Sequence, residues 1–157
     1  EDVFRNPENR DVERQLEQEF TEIAEEVARA MADRIVELVV DNINKKGIAN
    51  EGGLARSVGF EKVGERTYKV FVDVDYGKFV EYGTDPHMPP WAPIKRWVRM
   101  KLGVSGSKLK EVTAKVRNKI AEEGTDPQPF WRPAINQAKK EKGLIRKKVE
   151  AEIKSRN

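Results

Sequence analysis

The phrase Gly-Thr-Asp-Pro occurs twice in this chain, at residues 83–86 and again at 124–127. The first copy runs on through Met88, Pro89, Pro90 and Trp91 to Pro93, the second through Pro129, Phe130 and Trp131 to Pro133. Glycine reaches backbone conformations that other residues resist, while proline fixes φ and removes a hydrogen-bond donor. Each copy therefore reads as a rigid corner that presents aromatic side chains and leads into a helical pattern. It does not read as a catalytic loop.

Ahead of the first corner, Val12, Leu16, Phe20, Ile23, Val27, Met31, Ile35 and Leu38 recur at three- and four-residue steps. This is the stripe of an amphipathic helix, expected from about Asn9 to Asn44, capped by Asn9 or Asp11 and stopped by Gly47. At 1.5 Å per residue it reaches roughly 50 Å, more than a small sheet covers, so part of it is expected to project toward a neighbouring subunit. Residues 45–53, with three glycines and no periodicity, read as a mobile loop.

A strand is expected from about Leu54 to Val63, a turn at Gly64, Glu65 and Arg66, and a strand from Thr67 to Val74. Tyr68, Val70, Val72 and Val74 alternate with the period of a half-buried strand. An isolated hairpin is marginal, so it must pack on the long helix, gain strands, or pair with another protomer. Residues 76–82 read as a short turn or helix that brings Phe79, Val80 and Tyr82 inward. Ile94, Trp97, Val98 and Leu102 mark a helix ending at Gly103. Leu109, Val112, Val116 and Ile120 mark another, with Ser107 as its cap and Gly124 as its end. The last helix starts near Pro133 and carries Ile135, Ala138, Ile145, Val149 and Ile153, with a bend or fray expected at Gly143. The fold class is α+β: a long N-terminal helix, a small antiparallel β-hairpin and C-terminal helices. One domain is expected over 1–157, with 1–11 flexible and 151–157 a basic tail.

The chain has 157 residues, enough to bury a core, but 36% are charged against 38% hydrophobic. No run of apolar residues is long enough for a membrane span, and the acidic start does not resemble a secretory signal. Without cysteine there are no disulfides and no thiolate metal sites, a composition that fits a reducing cytoplasm. Residues 1–33 hold eleven acids and four bases, a balance of −7, and residues 132–157 nine bases and three acids, a balance of +6. Three readings stay open for this polarity: two solvated helix faces, pairing of the two helices between subunits, or a basic helix touching nucleic acid.

The candidate chemistry is thin. His87 is the sole histidine, short of the ligand set a zinc ion requires. Asp73, Asp75, Glu81 and Asp85 lack an accompanying base or a phosphate-binding loop, and no nucleophile–histidine–acid arrangement exists. No enzyme, cofactor or metal is expected. Glu81 stands among aromatic residues, where a buried charge needs partners. The expected ones are a salt bridge to Arg132 or Arg96, or backbone donors of the following turn. Trp91, Trp97, Phe130 and Trp131 suit a core, yet rigid Pro-flanked aromatics also suit an interface anchor. At least one of Trp91 and Trp131 is expected to be exposed in the monomer. Lys139, Lys140, Lys142, Arg146, Lys147 and Lys148 could meet phosphates without reading sequence.

The run Tyr76-Gly-Lys-Phe-Val-Glu-Tyr-Gly-Thr84 resembles the Tyr-Ala-x-aromatic-Val-Glu-aromatic-Gly-Thr signature of a family of phage tail-completion (neck, head–tail joining) proteins typified by a lambdoid gene-10 product. Pro127-Gln-Pro-Phe-Trp-Arg-Pro-Ala134 is similar to that family's second signature, and the order of elements matches over roughly 12–150. The resemblance implies a non-enzymatic virion protein, present in the host cytoplasm during assembly. It would form a homo-oligomeric ring at the head–tail junction through which the genome passes. Heterologous contacts would close the ring at about six or twelve copies. Head-closure or connector and tail-tube proteins would be its neighbours, with possible non-specific contact to double-stranded DNA and no membrane. Tyr76, Phe79, Glu81, Tyr82, Trp91, Phe130 and Trp131 are then the candidate ring contacts. The alternative is a sequence-independent DNA-binding module acting through the basic last helix.

Overall fold

The computed structural model describes residues 7–48 and 53–156. Its spine is α1 (Pro7–Lys45), one uninterrupted helix of 39 residues, about 58 Å long at the standard rise. A one-turn helix, α2 (Gly53–Arg56), precedes the antiparallel hairpin of β1 (Val58–Gly64) and β2 (Thr67–Val72). Then come α3 (Gly77–Tyr82), α4 (Trp91–Lys101), α5 (Ser107–Glu123) and α6 (Arg132–Arg156). The α+β class is as expected. The expected mobile loop at 45–53 divides: 45–48 close α1, 49–52 lie outside the described residues, and Gly53 opens α2. The N-terminal segment expected to be flexible lies outside them at 1–6, and α1 already runs through 7–11.

Leu54 corrects the first expected strand. It sits on α2, not on β1, and is fully buried against Val39, Ile43, Phe130 and Ala134. An apolar residue beside two glycines fits either element; the need to plug the gap between α1 and the hairpin decides it. The core lies there, where the C-terminal third of α1, α2, the hairpin base, α3 and the start of α6 converge. From this point α6 runs back antiparallel along α1: Asn42 donates to the Phe130 carbonyl at 3.0 Å, and Arg34 Nε meets Glu141 Oε1 at 3.0 Å. Ala134, Ala138, Val149 and Ile153 fill the seam. Gly143 causes no break, because it lies on the open side with no atom near it and the helix continues through. Ser107 is not the cap of α5; Gly106 occupies that position without a side-chain bond.

The hairpin lies on α1 and is anchored at its tip by Glu25. That carboxylate accepts from Lys62 Nζ at 2.6 Å, from the Tyr68 hydroxyl at 2.7 Å and from the Arg66 backbone N–H at 2.8 Å. Hydrogen bonds from Lys62 and then Tyr68 hold the Glu25 pKa down at about 2.

The repeated phrase proves to be one device in two halves. Each copy ends a helix, α3 at Gly83 and α5 at Gly124, and the two copies pair as an antiparallel bridge between Thr84 and Thr125. Thr84 N–H donates to the Thr125 carbonyl and Thr125 N–H to the Thr84 carbonyl, both at 3.0 Å, and the two hydroxyl oxygens lie 2.9 Å apart. Beyond the bridge, His87 N–H reaches the Ile120 carbonyl and Gln128 N–H the Val80 carbonyl, a near-twofold arrangement. The close approach explains the glycines. Gly83 and Gly124 have φ of 70° and 74° with extended ψ, and a Cβ on either would stand 2.4 or 2.1 Å from the opposing carbonyl oxygen. The sequence shows two corners, and the structure shows a clasp that ties the α4–α5 pair to the main body.

Candidate assembly surface

Glu81 organises the surface around the clasp. It projects from α3 into the body and is 3% exposed. One carboxylate oxygen accepts from the Phe130 and Trp131 backbone N–H groups at 2.7 and 2.8 Å, the other from the Arg132 N–H at 3.0 Å and Arg132 Nε at 2.9 Å. These are donors at the start of α6, which carry no intrahelical partner and favour a negative charge. Burial pushes the carboxyl's pKa up, but the Trp131 and Arg132 backbone donors, the Arg132 guanidinium and the Phe130 donor outweigh it and hold the pKa below the ordinary range. The salt bridge is therefore to Arg132, as one reading of the sequence had it, and the capped donors belong to the second corner. One acid joins both signatures: Glu81 from the first fastens 130–132 of the second.

With Glu81 turned inward, its helical neighbours turn out. Phe79 and Tyr82, expected to face inward, are exposed, and of the aromatic-flanked segment only Gly77, Val80 and Glu81 face the body. The six-residue helix has one inner face, and the carboxylate occupies it. Arg132, having bonded Glu81, lays its guanidinium over the Tyr82 ring at 4.8 Å. An open groove of about 560 Å³ results, lined by Val72, Val74, Phe79, Tyr82 and Trp131 over a floor that includes Phe130. β2 borders it and, among the described residues, pairs with β1 alone.

Of the seven candidate ring contacts, the structure brings five to this groove: Phe79, Glu81, Tyr82, Phe130 and Trp131. Tyr76 precedes α3 and is exposed. Phe130, 2% exposed, and Glu81 lie inside the single chain and shape the groove from beneath. Trp91 stands apart, half-buried at the start of α4 with the Arg117 guanidinium over its ring at 5.2 Å. Neither Trp91 nor Trp131 is fully buried. The six cations of α6 are all exposed and spread round its solvent side, and Arg146 is paired with Glu150. The His87 ring meets the Asp85 carbonyl oxygen through Nδ1 at 2.9 Å. Among the described residues no three acidic or histidine side chains converge, so Asp73, Asp75, Glu81 and Asp85 form no cluster. Nor is any helix among them long and apolar enough to cross a membrane.

Two features escaped the sequence reading. The clasp needs long-range pairing, and its signal, the literal repeat, was visible without its meaning. Glu25 gave no local signal at all, since its three partners lie about forty residues away.

The described residues thus form a helical spine, a hairpin and a braced aromatic groove. Residues 9–83 match the model of the family described as "Bacteriophage HK97-gp10, putative tail-component", a span that takes in α1 from residue 9, the hairpin and the first signature as far as Gly83. The match bears out the resemblance to a phage tail family over just under half the chain, and the family it describes is one of structural tail components. No curated protein and no solved structure matches the chain.

Proposed function

We propose that the protein is a virion subunit that forms a closed ring at the head–tail junction, around the path of the genome. The single observation that carries this reading is the match of 9–83 to a tail-component family, on a chain whose described residues present a rigid, exposed aromatic groove. The mechanism is geometric. α1 and the hairpin make subunit contacts of the heterologous kind that close into a ring. The groove of Phe79, Tyr82 and Trp131, held open by Glu81 and Arg132, braces a neighbouring head-closure or tail-tube protein. Because the clasp and the carboxylate fix these aromatics in advance, little ordering cost is left at binding.

Depleting the protein during phage growth tests this. The expected result is filled heads and separate tails that join when purified protein is added. Joined, infectious particles in its absence would overturn the proposal. A second reading, sequence-independent duplex DNA contact through α6, is favoured by the exposure of its six cations. In a ring, that helix would line the lumen.

A further inference from the structure

We infer that the N-terminal third of α1 docks on α4 of a second copy of this chain, through a defined pair of patches. This deepens the ring reading by naming one of its contacts, and it rests on that reading only for the closure of the assembly.

The first patch is the start of the α1 stripe. Val12, Leu16 and Phe20 are 54%, 47% and 67% exposed, although the stripe's continuation through Ile23, Val27 and Met31 is half-buried. Three large apolar residues one turn apart on one helix face form a row about 12 Å long. At 100° per residue this row points away from Arg14, Gln18, Thr21 and Glu25, the side of α1 that faces the hairpin tip. Glu13 and Glu19 flank it, with Glu17 beyond Glu13.

The second patch is on α4. Trp97 and Met100, neighbours on one face of the helix, are 38% and 37% exposed, while Val98 on another face is fully buried. Lys95, Arg96, Arg99 and Lys101 surround them, and the helix carries no acid. One patch is an apolar row in an acidic setting, the other an apolar face in a basic one. Such complementarity selects this pairing over the pairing of either patch with itself, where like charges would meet.

The two patches cannot meet within one chain. Lys101 donates to the Gly47 carbonyl, which places the end of α4 at the C-terminal end of α1. Phe20 and Val12 lie about 40 to 50 Å up the same uninterrupted helix. The contact is therefore between copies and head-to-tail, leaving each copy one free patch for the next. That is the heterologous geometry which generates a ring when the rotation closes.

The chain has no cysteine, so introduced thiols report cleanly. Phe20→Cys and Met100→Cys variants, both at exposed positions, are oxidised separately and as an equimolar mixture, with circular dichroism confirming their folding. The expected result is a linked species of two copies from the mixture, at least tenfold above either variant alone. A chain with both substitutions should give a ladder. Equal cross-linking by each variant alone, or none in the mixture, overturns the inference. Leu16→Ser/Phe20→Ser and Trp97→Ser/Met100→Ser supply a second readout: each should lower the molar mass of the free protein, and unchanged mass in both overturns it. A discrete oligomer of the unmodified protein without this cross-link sinks the contact and leaves the ring. A monomer without it sinks both.

Discussion

Replacing Gly124 with alanine should unfasten the clasp, and its cost can be worked from the geometry. At φ 74° and ψ −159° the backbone lies in a region that essentially only glycine occupies, worth about 1–3 kcal/mol to any other residue. The new Cβ would also stand 2.1 Å from the Thr84 carbonyl oxygen. The strands must part by about 1 Å to reach ordinary contact, which weakens the two reciprocal Thr84–Thr125 backbone bonds, worth about 1 kcal/mol each. Together these come to roughly 3–5 kcal/mol, or a Tm about 10 °C lower for a chain of this size. Two other glycines calibrate the measurement. Gly103 has φ 63° with nothing within 4 Å, so alanine there should cost only the left-handed penalty, about 1 kcal/mol. Gly143 is inside α6 with open space around it, and alanine should stabilise by about 0.5–1 kcal/mol. Denaturant unfolding followed by circular dichroism gives all three. If Gly124→Ala costs no more than Gly103→Ala, the close pairing of the two phrases is not a structural fastening.

Glu81→Gln removes the charge from a carboxylate that serves three backbone donors and Arg132, and should cost about 2–3 kcal/mol; a Tm within 1 °C of the parent chain would refute the role. The pKa values of Glu81 and Glu25 are both lowered by folding, the latter to about 2. Their stabilisation is present above the unfolded value near 4.5 and is lost as pH falls below it, so an acid titration of Tm should be flat near neutrality and decline between pH 4.5 and 2. Phe79→Ser with Tyr82→Ser alters exposed rings and should leave Tm within about 1 °C while abolishing head–tail joining; normal joining would remove the groove from the mechanism. If α6 meets duplex DNA, changing Lys139, Lys140 and Lys142 to Gln should reduce the slope of log affinity against log salt by about 3, and an unchanged slope would exclude those side chains from the contact.

The long helix was legible because its stripe repeats over many turns, and periodicity survives any tertiary context. The hairpin was legible from Tyr68, Val70 and Val72 for the same reason. Leu54 was not, since one apolar residue between glycines carries no period and only the gap it fills decides its element. For the candidate site, the sequence showed that Glu81 needs a partner and that Arg132 was available. It could not show that three backbone donors of the other signature converge on the same carboxylate. Nor could it show that this inward turn would send Phe79 and Tyr82 outward, because orientation on a six-residue helix is set by whichever side chain finds partners. The repeat was the clearest signal in the chain, yet its pairing is a contact between residues 41 apart, which local propensity does not encode.

The molar mass of the purified protein, measured by light scattering over a wide concentration range, tests the ring reading most directly. The expected result is one closed species whose mass is a fixed multiple of 18.0 kDa and does not grow with concentration. A monomer at every concentration, or a polymer that lengthens without limit, would contradict it.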